Sequence, residues 1–114
     1  MQMQSDLDII EQTIEEAQGH IDTRDKLLRL QDNKDFQDLF IEGLDKEAIR
    51  LVSMLAHPGV RSNSERMEIL NSRMNFISEF RLFSQQIIQT GDSAADAMKA
   101  HERTREEILE EDAE

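Results

Sequence analysis

Residues 64–90 read SERMEILNSRMNFISEFRLFSQQIIQT, and the fold turns on this stretch. It contains neither Gly nor Pro, Pro58-Gly59 precedes it and Gly91 follows it. The spacing predicts one long helix, capped by Ser64 and ended after Thr90 by Gly91 in a left-handed conformation. Met67, Leu70, Met74 and Ile77 recur at three- and four-residue steps, and Ile69, Phe76, Phe80, Phe83 and Ile87 mark a second stripe rotated from the first. At about 1.5 Å per residue such a helix is about 40 Å long, and it needs neighbours on two sides. Met67, Leu70, Met74, Phe76, Ile77, Phe80, Phe83 and Ile87 are therefore the candidate core or protein-interface residues, with the three Phe rings as the anchor.

Working outward, residues from Ser5 or Asp6 to Leu30 predict another long helix, with Leu7, Ile10, Ile14, Ala17, Ile21 and Leu28 on a heptad-like seam. Arg24 breaks that seam, and Gly19 costs about 1 kcal/mol of helix propensity relative to Ala. Asp6, Asp8 and Glu11 near the start, and Arg24, Lys26 and Arg29 near the end, have the sign that a helix dipole favours.

Gln31-Asp32-Asn33 reads as a break. Asp35–Glu42 then gives a short amphipathic helix with Phe36, Leu39 and Phe40 on one face and Gly43 at its end. Asp45 caps a further helix carrying Ile49, Leu51, Val52 and Leu55, which stops before Pro58. His57 to Asn63 is a polar loop. Beyond Gly91, Asp92 or Ser93 starts a last helix with Ala94, Ala97, Met98, Ile108 and Leu109 as its apolar positions. Residues 1–101 form one helical domain, and residues 102–114, with seven acidic and two basic side chains, form an acidic segment that frays unless a partner orders it.

The fold expected is all-α: an antiparallel helical hairpin or small bundle of two long helices plus short ones, ending in an acidic helix or tail. The matched lengths of the first helix and of 64–90 suggest end-to-end alignment, with 35–56 as a cap or side layer.

Composition narrows the function. Of 114 residues, 38% are hydrophobic and 33% charged, and the net charge of -12 with no basic cluster argues against direct binding to nucleic-acid phosphates. The absence of Cys removes disulfides and thiolate chemistry and fits a reducing compartment. No apolar run reaches the roughly 18 residues needed to cross a bilayer, so neither a signal peptide nor a membrane anchor is expected.

Chemistry-bearing motifs are weak. Glu16 and His20 stand four apart, a spacing that suits metal ligands but that arises by chance on a carboxylate-rich helix; His57 lies in a turn and His101 in a charged helix. Glu15-Glu16 and Glu106-Glu107 diverge by about 100° around a helix and read as charged surface rather than an acid/base pair. No phosphate-cradling glycine loop, nucleophile elbow or Ser-His-Asp constellation stands out, so no enzyme activity and no cofactor are expected. The Met and Phe stripes exceed what a two-helix hairpin covers, which points to self-association or docking on other protein subunits.

Asp35-Phe36-Gln37-Asp38-Leu39-Phe40-Ile41-Glu42-Gly43, followed by Glu47-Ala48-Ile49-Arg50-Leu51-Val52, resembles small helical proteins encoded among the structural genes of tailed bacteriophages. Thr90-Gly91-Asp92 and the acidic ending with Arg105-Glu106-Glu107 look similar too, and the likeness covers roughly half the chain without a functional motif. It implies a non-enzymatic virion or assembly role in head, connector or tail, in the virion or host cytoplasm. The alternative is an acidic phage-encoded inhibitor that occupies a cationic nucleic-acid-binding site on a host protein, although 13 interspersed Lys and Arg dilute such mimicry.

Overall fold

The computed structural model describes residues 2–113, with side chains from Gln4 onward. The described residues are helical almost throughout and include no strand, so the chain is all-α. In order they form α1 (Gln2–Gln31), α2 (Lys34–Phe36), a π-helical stretch (Gln37–Glu42), α3 (Gly43–Leu55), α4 (Pro58–Arg61) and α5 (Ser64–Ala113).

Several expected boundaries move, each for a local reason. Gly91 does not stop the long helix: no described glycine has positive φ, and α5 runs on to Ala113, so Asp92 and Ser93 are interior positions rather than a cap. The cap of α5 is Asn63, whose Oδ1 accepts from the Arg66 N–H at 3.1 Å, rather than Ser64. Gly43 and Asp45 likewise neither end nor cap a helix. The expected stop becomes a π-helical turn in which the Gly43 N–H donates to the Asp38 carbonyl, and the helix continues. A Cβ on Gly43 would stand 3.2 Å from that carbonyl oxygen, so the wide turn crowds this position. The loop at 57–63 contains α4, where the His57 imidazole Nδ1 accepts from the Gly59 N–H at 3.2 Å and Val60 turns inward. Because α1 begins at Gln2, Asp6, Asp8 and Glu11 lie beyond its first turn. Of the cations only Arg29 occupies the last turn, so little of the expected dipole complementarity is present.

The Gln31–Asn33 break is present as expected, and Asn33 makes it sharp: its Oδ1 accepts from the Phe36 N–H at 3.0 Å and starts α2. Thr13, Thr23, Ser84 and Thr104 sit inside long helices, where each hydroxyl finds its partner in the carbonyl four residues back.

The chain divides into two compact units. The first comprises α1 up to Leu28 and α5 from Gln86. Its core is Ala17, Ala94 and Met98, with Ile14 and Ile21 packed around them. Residue numbers rise along α1 as they fall along α5, because Ala17 meets this cluster while Arg24 reaches Asp92. On α5 the covered face is Gly91, Ala94, Met98, His101, Arg105 and Ile108, still at three- and four-residue steps. The partner of α1 in this unit is thus the part of α5 from Gln86 onward, not the 64–90 stretch aligned end to end. The seam expected at Leu28 passes through half-buried Leu27 instead, leaving Leu28 exposed.

Arg24, which interrupts the apolar seam, is accommodated by Gly91. A Cβ built on Gly91 would lie 2.3 Å from the Arg24 Cβ, so the arginine stem crosses α5 where there is no side chain. Its head bonds Asp92 Oδ1 at 2.9 Å and Asp25 Oδ1 at 3.1 Å, leaving the side chain 19% exposed. The hydrogen bond that Arg24 donates to Asp92, then the one it donates to Asp25, raise the guanidinium pKa above its ordinary value.

The second unit spans residues 29–85. Leu51 of α3 has no exposed surface and packs with Val60, Leu70 and Ile77, while Leu44, Ala48, Leu55, Met67 and Met74 close around them. The Phe36, Phe40 and Phe80 rings form a row, with centroids 5.3 Å and 6.2 Å apart. Arg81 and Asp45 form an ion pair between α5 and α3 beside it.

Candidate protein-docking surface

The eight candidate residues divide by face. Leu70 and Ile77 are buried, and Met67 and Met74 pack on them, so the first stripe is core of the second unit. The second stripe splits. Phe80 is half-buried against Phe40, Ile87 is half-buried in the first unit, and Phe76 and Phe83 stand 65% and 62% exposed. Ile69, 53% exposed, falls in line with them at seven-residue steps.

Two shallow grooves open beside this line, between α3 and α5. One is lined by Leu44, Glu47, Ser72, Arg73, Phe76 and Ile77, and the other by Met54, Val60, Arg66, Ile69, Leu70 and Arg73. Arg73 belongs to both, so they form one trough with an apolar floor and a cationic centre. On the α3 rim, Arg50 holds Glu47 through two N–H donors, with Nε to Oε2 at 2.9 Å. That hydrogen bond lowers the Glu47 pKa below the ordinary carboxylate value. Arg66 and Arg73 have no ion-pair partner among the described residues. A third depression, lined by Glu65, Glu68, Ile69, Ser72 and Arg73, adjoins both, so two further carboxylates stand beside Arg73.

Spacing on α5 alone could not supply the α3 wall of the trough, Leu44, Glu47 and Met54. Arg66 and Arg73 were legible as a signal: they stand seven apart and flank Ile69 and Phe76, which puts all four on neighbouring rows of one helix.

The chemistry such a surface offers is recognition. Among the described residues no group of three or more His, Asp and Glu side chains converges on a possible metal position. His20 and Glu16 are exposed, His57 caps α4, and His101 lies on the half-covered face of α5. No described helix is long and apolar enough to cross a membrane. Comparison with protein-family models, with curated proteins and with solved structures finds no match.

Proposed function

We propose that this chain is a non-enzymatic virion or assembly protein of a tailed bacteriophage, a head, connector or tail component or an assembly factor, that acts through helix-mediated contacts with other protein subunits. The observation that carries the mode of action is the exposed line of Ile69, Phe76 and Phe83 beside an apolar trough. A soluble chain gains by covering such a surface, at roughly 25 cal/mol per Å² of apolar area removed from water. The phage setting rests on the resemblance of the Asp35–Gly43 and Glu47–Val52 segments. The opposed residue numbering of α1 and α5 in the first unit supports an antiparallel hairpin as the architecture, and the carboxylates of 102–113 support an acidic tail left free for water or a partner. No cofactor, nucleic acid or membrane enters this role, and its setting is the virion or host cytoplasm.

Mass spectrometry of purified particles tests it, with peptides of this chain expected at a fixed ratio to a known subunit, or in assembly intermediates for a transient factor. Absence from both, together with salt-sensitive binding to a host protein, would replace it with the acidic inhibitor.

A further inference from the structure

We propose that the exposed line of Ile69, Phe76 and Phe83 on α5 is covered by the same line of a second copy of this chain, running antiparallel about a two-fold axis at Phe76. The proposal rests on the reading of this line as a contact with other subunits and names the first of them. The order of side chains along α5 selects the occupant. Reversal about Phe76 sets each residue level with the one equally far on its other side. Seven steps away, Ile69 of one copy therefore meets Phe83 of the other, and at the axis Phe76 meets itself. Three steps away, Arg73 meets Glu79, a cation against a carboxylate, once on either side of the axis. A line whose charges complement their own reversal fits a second copy.

Both charges are free to serve. Arg73 and Glu79 are exposed and have no ion-pair partner among the described residues, and Glu47, which lines the groove beside Arg73, is already held by Arg50. At about 100° per residue they lie about 60° to either side of Phe76. In the pair they stand on opposite flanks of the seam, so the long arginine stem crosses between apolar levels that are about 10.5 Å apart. The small Ser72 beside Arg73 leaves room for that crossing. A parallel, in-register pair would instead set Arg73 level with Arg73 and Glu79 level with Glu79. Glu65 and Glu68 lie beyond the Ile69 level, outside the span of the contact. Phe76 and Phe83 are 65% and 62% exposed, and a buried Phe covers roughly 150–250 Å², so four rings bring roughly 400–600 Å² to the pair. That falls short of the roughly 1,200 Å² of a standard interface, so the pair is weak and forms where copies are held close, as in an assembly.

The chain has no Cys, so introduced cysteines report the alignment directly. In a glutathione buffer, Ile69→Cys mixed with Phe83→Cys should give a disulfide-linked pair containing one of each, about tenfold faster than Ile69→Cys links to itself, because reversal holds the two 69 positions about 21 Å apart along the helices. Sedimentation velocity of the full-length parent, at concentrations up to about 1 mM, should show pairs forming. About 0.15 M salt screens the net charge of -12 beyond about 8 Å. Arg73→Glu and Glu79→Arg should each weaken pairing about tenfold, and both their equimolar mixture and the double variant should recover it. All four positions are exposed, so circular dichroism should match the parent; if a charge variant loses helicity, the cysteine pattern decides. A parent that stays single throughout, Ile69→Cys chains that link to each other as readily as to Phe83→Cys chains, or folded charge variants that pair as the parent does would each overturn the contact. Particle proteomics separates the two ideas: a chain present in particles but single in solution sinks only this contact, and a pairing chain absent from particles sinks only the assembly role.

Discussion

Gly19 and Gly91 both sit inside helices, and giving each a methyl group should have opposite effects. Nothing lies within 4 Å of a Cβ at Gly19, so Gly19→Ala should stabilise by about 1 kcal/mol through helix propensity and a less flexible unfolded chain. At Gly91 the same change drives Cβ into the Arg24 stem. The overpacking cost of about 1–3 kcal/mol should cancel or exceed the propensity gain. Urea midpoints of the two variants check this, and equal stabilisation by both would sink the account of Gly91. Glu47 supplies a pH-dependent counterpart. Its pKa is held below the ordinary carboxylate value by the hydrogen bond from Arg50, so its contribution is present above that ordinary value and is lost as pH falls through the lowered one. The stability gap between the parent and Glu47→Gln should close as pH drops below the ordinary carboxylate range, followed by denaturant titration at each pH. A gap constant with pH would show that Glu47 acts through packing alone.

At the scale of elements, the two stripes of α5 do different work and should respond differently to substitution. Leu51→Ala removes the side chain against which Leu70 and Ile77 pack and should cost about 2–5 kcal/mol. Phe80→Asp places a carboxylate beside the Phe40 ring and should destabilise the unit as well. Phe76→Ser, by contrast, alters a mostly exposed ring and should leave the thermal midpoint within a few degrees of the parent while weakening association. A Phe76 variant as unstable as the Leu51 one would contradict the division of faces. Periodicity makes the Leu70–Ile77 stripe legible in the sequence, because three- and four-residue steps fix one helical face. It could not rank the second stripe, since which apolar row is covered depends on where α3 and the Phe36–Phe40 row lie. Gly91 misled for a related reason: a lone glycine after a long run resembles a stop, and only the continuing steps through Ala94 and Met98 argue for an uninterrupted helix.

At the scale of the molecule, the side chains legible as charged surface remain so. No polar or charged side chain is buried among the described residues, and the ion pairs there are few. With a net charge of -12 the chain repels itself, which favours solubility and makes any association sensitive to ionic strength. The all-α class was readable from composition and spacing alone. The division into two units was not, because α1 and α5 each contribute to both and neither carries a break where one unit gives way to the other.

The hydrogen-for-side-chain position at Gly91 also acts as a keyway. If α1 slid along α5 by one heptad toward the C-terminal end of α5, the Arg24 stem would strike Met98 in place of the notch, and its head would lose Asp92. Slipped pairings that a plain run of alanines would tolerate are therefore penalised twice, by collision and by a stranded guanidinium. One residue without a side chain favours this alignment of the two helices over that slip.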